Sequence, residues 1–210
     1  MGLDASPTST KRIGVFGGTF DPVHNGHVAV ALFALSGLSL EEVLMVVASD
    51  QWLREKAPVA SAEHRLEMVR LAVEDENQVV ASDIDLRRSG PTYTVDTLSD
   101  LRDQYPNASL TLISGVDSAL SMDRWDRGDQ LSQFAEIAVV GRPGETLDLD
   151  SLDDTHPAKN AKYLQGPMVD VSATLARERI ESGQRVDDLV PTVVADYINE
   201  HGLYDHQENA

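Results

Sequence analysis

The sequence contains no cysteine, so disulfides and thiolate metal sites are excluded. No apolar run approaches the roughly 18 residues that a membrane span requires. Met1 to Lys11 is polar and has no apolar signal core, which points to a cytoplasmic protein with no membrane partner. Basic residues are scarce: 17 Lys and Arg face 35 Asp and Glu, for a formal net charge of −18. Duplex binding needs a basic face, so nucleic acid is not expected as a partner. A small anionic substrate stays open, because a few basic side chains, backbone N–H groups and a divalent cation can supply positive charge locally. Much of the acid lies in segments that read as solvated surface, such as Glu145 to Asp154 and Asp187-Asp188. There is no G-x-G-x-x-G and no P-loop lysine, which removes the dinucleotide fingerprint and the Walker ATPase.

What is present alternates. Arg12 to Phe16, Val43 to Ala48, Val79 to Asp83, Leu110 to Ser114, Ile137 to Val140 and Met168 to Val171 read as strands. Asn25 to Leu35, Ala62 to Val73, Val95 to Tyr105, Ala173 to Ser182 and Pro191 to Glu200 read as helices, with Thr94 as an N-cap and Gly202 as a stop. The pattern predicts an α/β fold, a Rossmann-like, mostly parallel sheet with helices on both faces and a small C-terminal helical extension. One domain is expected over 12–204, with a flexible leader at 1–11 and a flexible tail at 205–210. In such sheets ligands bind beyond the carboxyl ends of the strands.

The segment Gly17-Gly18-Thr19-Phe20-Asp21-Pro22-Val23-His24-Asn25-Gly26-His27 leaves the first strand and enters a helix. Its glycines let a ligand approach the main chain, and the helix start offers N–H groups and a positive dipole end to phosphate. His24 and His27 can both donate to a phosphate oxygen. A metal site is the alternative, and it needs further ligands; His64 is the only histidine between this motif and His156. Ser172 and Thr174 stand at a second helix start, with Arg177 one turn on, which suits either a capped surface helix or a forked phosphate contact. Thr92, Tyr93 and Thr94 form a loop before a helix. Trp125 sits among polar residues, so it is either a core ring or a partly exposed face. Asp117 follows a strand and Gly115, as a helix cap or as a holder of ribose hydroxyls.

The first segment resembles the H-x-G-H motif of the nucleotidyltransferase superfamily. Two more stretches narrow the resemblance: Gly90-Pro91-Thr92-Tyr93-Thr94-Val95-Asp96-Thr97-Leu98 is similar to the acceptor segment of bacterial nicotinate-nucleotide adenylyltransferases, and Val171-Ser172-Ala173-Thr174-Leu175-Ala176-Arg177 to the superfamily's I-S-S-T-x-I-R phosphate motif. Gly115-Val116-Asp117, Trp125 and Arg142-Pro143-Gly144 follow in the expected order. Val171, Ala173 and Ala176 depart from the motif's Ile, Ser and Ile, and Ala48 to Lys56 departs from a proline-rich loop that ends in a basic residue, for which Lys56 is the nearest candidate.

The resemblance implies transfer of AMP from ATP to nicotinate mononucleotide, with magnesium arriving on ATP and no metal site in the protein. It makes His24 and His27 catalytic. Gly17, Gly18, Thr19, Phe20, Gly115, Asp117, Ser172, Thr174 and Arg177 join them around ATP, and Lys56, Thr92, Tyr93, Trp125 and Arg142 hold the acceptor. Self-association stays open. The rival readings are another adenylyl- or cytidylyltransferase of the superfamily, with nicotinamide mononucleotide or phosphopantetheine as acceptor, and a silent nucleotide-binding regulator.

Overall fold

The computed structural model describes residues 10–49 and 57–205. Its strands are β1 (Arg12–Gly18), β2 (Glu42–Val47), β3 (Val79–Ser82), β4 (Ser109–Gly115), β5 (Glu136–Gly141) and β6 (Lys162–Gln165). They form one sheet in the order β3-β2-β1-β4-β5-β6, and every pairing is parallel. The helices are α1 (Asn25–Gly37), α2 (Ala62–Ala72), α3 (Thr94–Gln104), α4 (Val116–Leu120), α5 (Leu131–Phe134), α6 (Ala173–Glu181) and α7 (Thr192–His201).

The near-continuous apolar strands are explained by two covered faces. Val43, Met45 and Val47 of β2 point into a core shared with α1, α2, α6 and α7. Leu44 and Val46, one residue out of phase, enter a second core with α3, α4 and α5. The winding reverses between β1 and β4, the place where a parallel sheet opens a crevice beyond its strand ends.

The sheet is thus wholly rather than mostly parallel, and its last strand is not where the apolar residues suggested. Met168 is 78% exposed, and Met168 to Val171 form no strand. The pairing belongs to Lys162–Gln165, an edge strand with exposed ends, and the Gly166 N–H closes it on the Gly141 carbonyl at 2.7 Å before Pro167. Only glycine fits there, because a Cβ on Gly166 would sit 2.5 Å from Val140 Cγ1. Thr94 is the first residue of α3 rather than its cap; Tyr93 takes the cap position and its side chain does not cap the helix. Gly202 ends α7 with φ 58°, as a glycine stop should.

Candidate active site

The crevice over β1 and β4 holds a cavity of about 400 Å³. Gly17, Gly18, Thr19, Phe20 and His27 form one wall, Gly115, Ser118 and Trp125 another, with Thr92 and Tyr93 at the α3 end and Arg177 and Ala173 at the α6 end.

The two histidines cap their own helix. The His24 backbone N–H donates to His27 Nδ1 at 3.2 Å, and the His27 N–H donates to His24 Nδ1 at 3.3 Å. A polar side chain is needed at each position because the first N–H groups of a helix have no partner within it. Both Nδ1 atoms accept, so in the neutral rings the proton resides on Nε2. The rings stack at 3.6 Å with an 18° tilt. Burial, with the nearby Arg142 charge adding to it, pulls His24 down to about 4 against an opposing backbone hydrogen bond. His24 is therefore a neutral donor at physiological pH. His27 lines the cavity, with His24 stacked against it.

At the α6 end, Ser172 caps the helix by accepting from the Leu175 N–H at 3.1 Å. Thr174 Oγ1 accepts from Arg177 Nη2 at 3.3 Å, and Arg177 Nη1 donates to the Asp21 carbonyl. Each hydroxyl thus accepts one bond within the helix, and Arg177 and Ala173 line the cavity. Val171, the first departure from the resembled motif, would contact a Cβ placed on Gly26, so it packs against the α1 start.

At the opposite end, Thr92 Oγ1 accepts from the Ser49 N–H at 3.2 Å and ties this loop to the end of β2. Arg127 lies over the Tyr93 ring at 5.6 Å. Trp125 is half-buried: its ring packs on the second core and also lines the cavity, and its Nε1–H donates to Ser121 Oγ at 3.2 Å. The ring therefore both packs on the core and faces the cavity. Asp117 is exposed in the first turn of α4 and does not line the cavity, although Gly115 does. Arg142 is exposed just after β5 and does not line the cavity, and its charge helps lower the pKa of His24. Lys56, and Trp52 in the same segment, lie outside the described residues.

Several residues in or behind the cavity wall carried no local signal. Asp85 and Asp126 line the cavity. Asp85 is buried and accepts from Thr97 Oγ1 at 2.5 Å and Arg88 Nη2 at 2.6 Å. Burial raises its carboxyl above the usual range, against the Thr97 hydroxyl and the Arg88 charge. Arg65 and Asp21 bind together the segments behind the glycine-rich turn. An i, i+4 scan from a helix start would flag Arg65 as apolar-face charge, but not say what it meets.

Among the described residues no three His, Asp or Glu side chains gather to hold a metal ion, and no helix is long and apolar enough to cross a membrane. Residues 15–179 match the family described as cytidylyltransferase-like. A protein of Dehalococcoides mccartyi named "Probable nicotinate-nucleotide adenylyltransferase" is 39% identical over 92% of this chain and 97% of its own. Relatives of the same name from Herpetosiphon aurantiacus and Leifsonia xyli are 40% and 37% identical over 92% and 96% of this chain, and 98% of each relative. Among solved structures, a nicotinic acid mononucleotide adenylyltransferase of Plasmodium falciparum, complexed with NaAD, superposes with a TM-score of 0.73 over 92% of this chain and 97% of that one, at 21% identity. That likeness is one of fold.

Proposed function

We propose a reaction for a chain that belongs to the nicotinate-nucleotide adenylyltransferases of the cytidylyltransferase-like family. The 5′-phosphate oxygen of nicotinate mononucleotide attacks the α-phosphorus of ATP, pyrophosphate leaves, and nicotinate adenine dinucleotide forms. The observation that carries the reading is the reciprocal capping of His24 and His27, which stacks the two imidazoles at a helix start and puts His27 in the wall of a 400 Å³ crevice.

No protein nucleophile takes part. The enzyme aligns two anions and stabilises the charge that moves onto the phosphate oxygens. His27 contacts the reacting phosphate, and stacked His24 supports it. Arg177 and the Ala173 and Thr174 N–H groups at the start of α6 hold the outgoing pyrophosphate. Ser172 serves this site as the cap that orders the helix start. Magnesium is read as part of the ATP substrate, held by its phosphate oxygens and by water. Arg142, exposed just after β5, keeps the acceptor role that the resembled motif gives it.

Trp125 takes the face of the pyridinium ring, and Asp85 and Asp126 supply negative charge around that cationic ring. The nicotinate carboxylate is read by N–H groups at the start of α3, where the helix dipole favours an anion. The partners are thus ATP and nicotinate mononucleotide, and a cytoplasmic location suits both.

Pyrophosphate release with ATP fixed and the acceptor varied tests the assignment. Nicotinate mononucleotide should exceed nicotinamide mononucleotide in kcat/KM by about tenfold or more, equivalent to about 1.4 kcal/mol of differential recognition. A ratio near one overturns the acceptor. Absence of turnover with every acceptor overturns the enzyme.

A further inference from the structure

Behind the glycine-rich turn lies a charge that the reaction does not use. Arg65, in the first turn of α2, is 2% exposed and is absent from the cavity wall. Its guanidinium donates to four backbone carbonyls: Nε to Ala60 at 3.2 Å, Nη1 to Thr19 at 2.7 Å and to Ala48 at 2.8 Å, and Nη2 to Ser49 at 3.3 Å. Burial pulls its pKa down, and the charge of nearby Asp21 opposes that. A buried charge is costly, and an apolar residue of similar size would fill the same space. The four carbonyls say what the charge is kept for, since they belong to three separate stretches: the turn, the end of β2 and the segment entering α2.

The Thr19 carbonyl matters most. It belongs to the peptide that precedes Phe20, which has φ 51°, a left-handed conformation that a non-glycine residue rarely adopts. That conformation sends the Phe20 ring, 2% exposed, edge-on against the His27 ring, with centroids 4.9 Å apart and planes at 85°. The next residue is held from the other side. The Asp21 carboxylate accepts from the Val59 N–H at 2.8 Å, the Ala60 N–H at 3.0 Å and the Tyr204 hydroxyl at 2.8 Å. Burial and the Asp21 charge push the Tyr204 phenol well above its usual range, so it stays a donor.

We propose that Arg65 is a positioning residue for adenylyl transfer: by holding the Thr19 carbonyl it fixes Phe20 in its left-handed conformation, and through the Phe20 ring it sets the orientation of His27. The proposal rests on the reaction assigned above, and its test carries a readout that does not depend on turnover.

Arg65→Met and Arg65→Lys are compared with the parent by kcat, by KM for each substrate, by melting temperature, and by the His27 Cε1–H resonance, assigned from its loss in His27→Ala. Methionine keeps volume without charge, a replacement that buried ion sites often tolerate in stability. Both folded variants should lose about 10- to 100-fold in kcat, the scale of a small misplacement of a catalytic group, with each KM within about threefold. The His27 resonance should move in both. A folded Arg65→Met with parental kcat and an unmoved His27 resonance overturns the proposal. Failure of both variants to fold also overturns it, since Arg65 is then a folding residue. A parent protein that releases no pyrophosphate, in which Arg65→Met still shifts the His27 resonance, overturns the assigned reaction and leaves the link from Arg65 to His27 standing.

Discussion

The wall of the crevice that carries His27 and the wall that carries Trp125 are held by different forces. On the first, the fastening groups are buried: Arg65, Asp21 and the Tyr204 hydroxyl bond one another's segments with almost no access to water. On the second, the Trp125 loop is tied to the start of α3 by Arg127 and Asp96, whose side chains are 41% and 39% exposed. A buried hydrogen bond has no water to replace it when broken, and leaving its partner unsatisfied costs about 1–3 kcal/mol. An exposed ion pair competes with water and salt and contributes about 0–1 kcal/mol. The His27 wall, which we assign to the phosphates, is therefore set before substrate arrives, as charge stabilisation requires. On the Trp125 side the loop's own tie to α3 is the exposed one, while Asp85 and Thr97 behind it are joined by a buried bond, so the loop is the part that adjusts at low cost.

That contrast is sharpest at His27. His27→Ala removes a fixed donor, and kcat should fall by about 10²–10³-fold, the loss typical of one preorganised donor to a developing charge. Steady-state pyrophosphate release measures it, with circular dichroism to show that the fold is kept. Near-normal turnover would mean that the capped histidines merely start a helix. Arg177→Ala comes next. It should raise KM for ATP about tenfold or more while leaving the acceptor KM within about threefold, and Arg177→Lys should restore only part, because one ammonium cannot keep the bonds to Asp21 and Thr174 and still fork onto phosphate. Equal effects on the two substrates would move Arg177 off the triphosphate.

The wall assigned to the phosphates was legible because its residues are local: two glycines, two histidines three apart, and a threonine and an arginine one helical turn apart. The devices behind that wall were hidden for the opposite reason. Asp21 reads as part of a turn until Tyr204, 183 residues away, reaches its carboxylate. Arg65 reads as an unexplained charge on the apolar face of a helix until four carbonyls from three segments converge on it. The fold was legible in order and class, since the strand runs alternate between two cores. The last strand was not, because an edge strand with polar ends gives a weaker pattern than the exposed Met168 beside it.

On the acceptor wall, Trp125→Ala should raise the acceptor KM by about 2- to 30-fold, the range for a ring–cation contact of about 0.5–2 kcal/mol. The melting temperature should fall as well, because the same ring packs on the second core. A fall in melting temperature with an unchanged acceptor KM would return Trp125 wholly to the core.

The smallest expected effect tests the comparison most directly. Arg127 donates to both Asp96 oxygens, at 2.8 and 2.9 Å, and lies over the Tyr93 ring, so it couples the residue after Asp126 to the start of α3. It does so from a left-handed backbone, with φ 51°, which an arginine adopts only where its surroundings hold it. Exposed pairs are worth at most about 1 kcal/mol, so Arg127→Gln should raise the acceptor KM by no more than about fivefold and leave kcat nearly unchanged. Salt should mimic the substitution, since at about 1 M the screening length shrinks to about 3 Å. Adding salt should therefore narrow the gap in acceptor KM between the parent and Arg127→Gln, while the kcat gap between the parent and Arg65→Met, which depends on buried bonds, should persist. If Arg127→Gln lowers kcat as far as Arg65→Met does, the two walls are equally preorganised, and exposure does not set which of them yields to its ligand.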